Sequence, residues 1–177
     1  MSDDVLQGEG RGEEVRAPRT KAQRGPARGL FRAGATLGFG LGGFFDGIVL
    51  HQVLQWHHMV SNWRTAETLA GLRLNTLADG IFHLATYAFT ILGVALLWRV
   101  GLRAGRPLSR QRLFGAVLVG FGSFHIFDEI VDHRLLGLHH IKPGPNELAW
   151  DLGFFAVGLL LFFVGITLWR RSGTERS

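Results

Sequence analysis

Residues 152–169 read LGFFAVGLLLFFVGITLW, an apolar run in which no side chain carries a charge. At 1.5 Å per residue a helix of this length spans about 27 Å, close to the roughly 30 Å hydrocarbon core of a bilayer. Working outward, this run belongs to a segment at 148–169, and similar segments lie at 33–54, 80–98 and 113–131. The sequence therefore predicts an all-α membrane protein with four transmembrane helices.

Basic side chains predict the orientation of these four segments. Of the 19 lysines and arginines, only Arg64, Arg73, Arg134 and Lys142 lie in or beside the loops that follow the first and third segments. All the others precede the first segment, separate the second from the third, or follow the fourth. Because cytoplasmic loops carry the excess of positive charge, both termini are predicted to be cytoplasmic. Residues 55–79 and 132–147 are then expected to face outward.

Amino-acid composition excludes several kinds of site and partner. The chain has no cysteine, which excludes disulfides and thiolate ligands. Its net charge of +5 comes from residues that flank apolar segments, so nucleic acid is not an expected partner. Residues 1–29 are rich in Gly, Pro and Arg, and we expect a disordered cytoplasmic tail there rather than a signal peptide. Residues 30–171 form the expected transmembrane domain, followed by a short cytoplasmic tail at 172–177.

Two segments of the chain match each other in sequence. Residues 46–58 read DGIVLHQVLQWHH, and residues 128–140 read DEIVDHRLLGLHH. Both fit the pattern D-x-I-V-x-H-x-x-L-x-x-H-H. The second and fourth apolar segments match more weakly, pairing Asp79 with Asp151. The pattern predicts an internal repeat of two tandem helical hairpins, related by a pseudo-two-fold axis along the membrane normal.

The polar residues of these matched segments are expensive to place within a membrane, because an aspartate at the centre of a span costs about 2.5–3.5 kcal/mol. Imidazole and carboxylate together suit iron, zinc, manganese or oxidised copper, and haem is a second candidate cofactor. The predicted metal ligands are Asp46, His51, His83, His125, Asp128, Glu129 and His133. Secondary candidates are His57, His58, Asp79, Asp132, His139, His140 and Asp151. Catalytic residues are not identifiable, and the sequence does not decide whether the protein is an enzyme.

Helix geometry raises an obstacle to this metal site. Asp46 and His51 are five residues apart, about 140° around an ideal α-helix, and so are Asp128 and His133. They can bind one ion only if the helix bulges or unwinds, or if another group bridges them. The alternatives are a proton- or ion-handling protein and a structural network of acid–histidine pairs. The loop histidines of the two HH pairs are expected to lie further out, where water can reach them.

The stretches GGFFDGIVLHQVLQWHHM, DGIFHLATYAFTILGVALLWR and GSFHIFDEIVDHRLLGLHHIKPGPNE resemble a family of small bacterial membrane proteins that is catalogued only as a domain of unknown function. The resemblance covers about residues 33–171. It implies four spans and a bacterial cytoplasmic (inner) membrane. More loosely, it implies an association with cytochrome oxidase assembly proteins, so a respiratory oxidase or its assembly factors are candidate partners. The expected function is redox chemistry or metal handling linked to oxidase maturation.

Overall fold

The computed structural model describes residues 21–105 and 107–172. Within these ranges the chain forms four α-helices and no strand, and two of the helices continue into π-helical segments. The elements are α1 (Lys21–Phe44), π1 (Phe45–Val53), α2 (Leu69–Arg103), α3 (Arg110–Asp128), π2 (Glu129–Leu135) and α4 (Glu147–Arg171). The prediction of an all-α protein is confirmed.

Each of the four apolar segments lies in a helix long and apolar enough to cross a membrane. In the described ranges these candidate spans are Ala27–Val53, Leu69–Arg103, Arg110–Leu135 and Glu147–Arg171, all longer than the apolar runs alone. Large apolar side chains such as Leu84 and Phe163 are exposed on α2 and α4, as lipid contact requires. Of the predicted tails, residues 1–20 and 173–177 lie outside the described residues, while 21–29 belong to α1.

The helices pack side by side in the order α2, α1, α3, α4, so α1 and α3 are direct neighbours at the centre. Glycine makes this central contact close. A Cβ added at Gly38 would collide with the carbonyl of Val117, and one added at Gly120 would collide with the carbonyl of Ala35. The small residues therefore let the two backbones approach each other closely.

The π-helical segments remove the geometric obstacle found in the sequence. A π-helix bonds residue i to residue i+5, so residues five apart come to lie nearly one above the other. Asp46 and His51 both belong to π1, and Asp128 immediately precedes π2, which contains His133. Each aspartate therefore shares a helix face with its histidine. Segments of this kind occur frequently at functional sites.

The two loops at this end of the molecule contact each other and cover the ends of α1 and α3. The amide of Asn62 donates to the carbonyl of Leu138 at 3.0 Å. The ammonium of Lys142 lies 4.8 Å from the ring centroid of Trp56 and 5.2 Å from that of Trp150. These contacts bring residues of both loops and the start of α4 together as a cover over the polar ends of the two π segments.

Candidate metal centre

Three buried residues of the first half converge below this cover, and we call them the first triad: Asp46, His51 and His57. The Nε2 atom of His51 lies 3.1 Å from Oδ2 of Asp46. The Nε2 atom of His57 lies 3.7 Å from Oδ1 of the same carboxylate. All three residues are almost completely buried, so bulk water does not solvate these atoms.

The second half presents the same arrangement, the second triad of Asp128, His133 and His139. The Nε2 atom of His133 lies 3.2 Å from Oδ2 of Asp128. The Nε2 atom of His139 lies 3.9 Å from Oδ1 of that carboxylate. These two nitrogen–oxygen distances differ from the corresponding distances in the first triad by 0.2 Å or less.

The loop histidine of each triad is held by the backbone of the opposite half. The Nδ1 atom of His57 lies 2.8 Å from the carbonyl oxygen of Ile141. The Nδ1 atom of His139 lies 3.0 Å from the carbonyl oxygen of Met59. A carbonyl oxygen only accepts, so the Nδ1 of both rings carries the hydrogen. In a neutral ring this leaves a lone pair on Nε2, directed toward the triad's aspartate.

The helix histidine of each triad is held by carboxylates. His51 donates from Nδ1 to Oδ1 of Asp79 at 3.0 Å. His133 donates from Nδ1 to Oε2 of Glu129 at 2.7 Å, and Oδ1 of Asp151 lies 3.4 Å away. Metal-binding histidines are typically oriented in this way, by a carboxylate or backbone carbonyl on the ring nitrogen that does not face the ion.

The orienting carboxylates of Asp79 and Asp151 are themselves fixed by the two loops. Asp79 accepts from the amide of Met59 at 2.8 Å and lies 2.7 Å from Nδ1 of His58. Asp151 accepts from the amide of Ile141 at 3.0 Å and lies 2.7 Å from Nδ1 of His140. The second histidine of each HH pair therefore positions a supporting carboxylate rather than a triad atom.

The inner atoms of both triads lack hydrogen-bond partners. Among the described residues, the buried side-chain atoms without such a partner include Nε2 of His51, His57, His133 and His139, and both carboxylate oxygens of Asp46 and Asp128. These nitrogen and oxygen atoms lie close together, but their geometry does not form hydrogen bonds. Buried polar groups are normally paired. A cation between each carboxylate and its two imidazoles would pair all of them.

The four imidazole rings are in direct contact. His57 and His139 stack with centroids 4.5 Å apart and planes inclined by 11°. His51 packs edge-on to His57 at 4.5 Å, and His133 packs edge-on to His139 at 4.7 Å. Burial lowers the pKa of His139, a loop residue, to about 4, so its ring is neutral at neutral pH, as a metal ligand must be.

Ligand-atom spacing supports the second triad directly and places the two histidines of the first triad close to His139. In the described ranges, three groups have one potential ligand atom per residue, with all the atoms within 4.8 Å of one another. These groups are His51, His57 and His139; Asp128, His133 and His139; and Glu129, His133 and Asp151. These groups bring together four predicted ligands, His51, Asp128, Glu129 and His133, and Asp46 joins them through its contacts with His51 and His57.

The two triads have different electrostatic surroundings. Beside the second triad, Glu129 and Asp132 add two buried carboxylates where the first has Gly47 and Leu50. Arg134 compensates in part, donating from Nε to Glu129 at 2.8 Å. The second triad therefore lies in the more strongly acidic environment.

Two predicted ligands lie away from the triads. Nε2 of His83 faces Gly47, and the ring stacks on Phe44 with centroids 6.4 Å apart. His125 donates from Nδ1 to the carbonyl of Phe121 at 3.0 Å, and its ring stacks on Phe154. Neither residue belongs to the groups with metal-compatible spacing.

The expectation that water reaches the loop histidines is wrong for His57 and His139, which are 3% and 0% exposed. Helix depth suggested solvation, but the loops fold back over the helix ends and bury both rings. The side chains of His58 and His140 are 18% and 21% exposed. The signal that could have ranked His57 and His139 higher was the recurrence of the whole HH pair.

Comparison with known proteins places the chain in a family. No curated protein and no solved structure matches it. A family model described as "Predicted membrane protein (DUF2243)" matches residues 33–172, which include all four candidate spans from residue 33 onward and both triads. The chain therefore belongs to this family of predicted membrane proteins, whose function is unknown.

Proposed function

We propose that this protein is a membrane protein that binds metal through residues of the two triads. One observation carries the proposal: four buried imidazoles are oriented through Nδ1, while every Nε2 faces an aspartate without forming a hydrogen bond. A purely structural network would align these groups as donors and acceptors, because an unpaired buried polar group costs about 1–3 kcal/mol. Among the described residues, Nδ1 of each of these four rings has a hydrogen-bond partner, whereas Nε2 has none.

The donor set favours a transition-metal ion. Each triad offers two imidazole nitrogens and one carboxylate, the set used by non-haem iron oxygenases and, with glutamate, by catalytic zinc sites. Manganese and oxidised copper also accept these ligands. Haem is disfavoured, because the stacked rings of His57 and His139 leave no space for a porphyrin between them.

Enclosure favours redox chemistry over metal delivery. The ligands are buried under a cover held by Lys142 between Trp56 and Trp150, whereas a protein that hands over its metal needs an exposed, labile site. Three protein ligands leave coordination positions free for a small reactant. With the orientation expected from the basic residues, the centre lies at the extracytoplasmic end of the membrane. A role in respiratory oxidase maturation stays a hypothesis based on family resemblance.

The test uses substitutions that distinguish the two ring nitrogens. In His57→Asn and His139→Asn, the amide nitrogen occupies about the place of Nδ1 and can still donate to the opposite carbonyl, but the Nε2 ligand is lost. Metal per protein is measured by elemental analysis in mild detergent, after removing any affinity tag. We expect stoichiometric metal in the wild type and a loss of bound metal in both variants.

His125→Asn is the matched control, because it keeps the donor to Phe121 and removes a ring that belongs to neither triad. It should retain its metal. Wild-type protein without bound metal, after growth with iron, zinc, manganese and copper, would contradict the proposal and leave the structural network. A proton-coupled activity in that metal-free protein would instead support proton handling.

A further inference from the structure

We infer that the centre holds two metal ions, one in each triad, and that the two positions are coupled through the backbone of Met59 and Ile141. The inference rests on the proposed function and extends it from metal binding to a dinuclear site. A site with two ions differs chemically from a site with one, because a pair of ions can bind a small reactant from both sides. Three features of the site favour two coupled ions: the direction of the ligands, the separation of the triads, and their shared supports.

Ligand direction favours one ion per triad. The Nε2 atoms of His57 and His139 face different carboxylates, Asp46 at 3.7 Å and Asp128 at 3.9 Å. Their Nδ1 atoms are bound to carbonyls of opposite halves. His51, His57 and His139 also have ligand atoms within 4.8 Å of one another, so the carboxylate that each Nε2 faces is what assigns each ring to its own ion.

The stacked pair of rings also separates the two triads. His57 and His139 lie nearly parallel with centroids 4.5 Å apart, so one ring belongs to each side of the contact. His51 packs on the His57 side and His133 on the His139 side. The ligand atoms therefore form two adjacent sets that meet at His139, which lies within ligand distance of residues from both. Both sets contain buried atoms without hydrogen-bond partners, so each set has its own requirement for a cation.

Two backbone positions connect these sets. Ile141 accepts from His57 through its carbonyl and donates through its amide to Asp151, which supports His133. Met59 accepts from His139 and donates to Asp79, which supports His51. Ordering one triad therefore orders a support of the other. Removal of one ion should weaken, but not abolish, binding of its neighbour.

The test is a titration of metal-free full-length protein in detergent with Co²⁺, followed by elemental analysis. The double variant Asp46→Asn/His51→Asn removes ligands of the first triad, and Asp128→Asn/His133→Asn removes the same set from the second. Each keeps Met59 and Ile141 and, through asparagine, the donor at the Nδ1 position. We expect two ions in the wild type, one in each double variant with weaker affinity, and none in the fourfold variant.

One ion in the wild type, lost equally in both double variants, would overturn the dinuclear site and leave the proposed function standing. No ion in the wild type would overturn both. A measurement on the wild type alone covers the case in which the variants fail to fold. Cu²⁺-loaded protein should give an electron paramagnetic resonance spectrum broadened by spin–spin coupling, and a spectrum of isolated ions at full loading would contradict the inference.

Discussion

His57 and His139 stack their imidazole rings at 4.5 Å with planes inclined by 11°, and each donates to a backbone carbonyl in the loop that carries the other. The carbonyl that holds His57 belongs to Ile141, two residues after His139. The carbonyl that holds His139 belongs to Met59, two residues after His57. This exchange fixes both rings only when the two halves are together, so the centre is a property of the whole bundle.

The carboxylates behind the helix histidines should tune metal affinity without being ligands. Asp79→Asn leaves the triad atoms in place but weakens the orientation of His51, and we expect affinity at the first triad to fall by about 10- to 100-fold. Competition with a chelator of known affinity measures the change. Glu67→Gln, at an exposed carboxylate in the loop that precedes α2, is the control and should bind as the wild type does. Equal affinities in all three proteins would remove Asp79 from the site.

The extra acid of the second half should strengthen that position. Asp132 is buried close to Asp128, so its carboxylate would contribute negative charge beside a cation held there. Replacing it by leucine, the residue at the equivalent position 50, should weaken binding at the second triad by about tenfold or about 1.4 kcal/mol. The first triad should change less. A titration that resolves two binding steps tests this, and a selective loss at the first triad would contradict the assignment of the two environments.

Bound metal should stabilise the fold. An ion present at 100 times its dissociation constant contributes about 2.7 kcal/mol if it binds only the folded state. We therefore expect chelation to lower the thermal unfolding midpoint of the wild type. The fourfold variant, without either set of ligands, should show no response to the chelator. A wild type that is equally stable with and without chelator would indicate that folding does not depend on these ions.

The glycines between α1 and α3 should be intolerant of a single methyl group. In Gly38→Ala the new Cβ collides with backbone at Val117, and overpacking of this kind costs about 1–3 kcal/mol. At Gly153 on α4, a Cβ meets no atom within 4 Å, so Gly153→Ala should be neutral or stabilising by about 0.5–1 kcal/mol. Unfolding midpoints in detergent compare the two. Similar midpoints for both variants would show that the close approach is not required.

The orientation can be tested directly because the chain has no native cysteine. Cysteines placed at Arg64 and at Lys142 lie in the two loops beside the centre and should react with a membrane-impermeant thiol reagent in intact cells. A cysteine at Arg103, at the opposite end of α2, should react only after the cells are opened. The reverse labelling pattern would move the centre to the cytoplasmic side.

Sequence alone was sufficient for the parts of this protein that depend on local composition. Runs of about 20 apolar residues fix four helices, because a backbone in lipid must satisfy its own hydrogen bonds. The matched aspartates and histidines were found for a similar reason: each of these groups is costly at membrane depth, so its recurrence in both segments indicated a purpose. The pseudo-two-fold axis stays a prediction, supported by the paired distances of the two triads.

Tertiary structure decided which of these residues meet. In an α-helix, with 3.6 residues per turn, Asp46 and His51 would lie on different faces. Only the π-helical backbone places them on one face, and the sequence did not predict that backbone. The folding of the loops was also not predictable, because His57 and His139 are held by contacts with residues 84 and 80 positions away in the sequence. His83 and His125 share the polar composition of the site but face glycine and aromatic neighbours. Local sequence determines which segments are helical and how deep each residue lies in its span. Whether a side chain points toward a common centre depends on long-range packing.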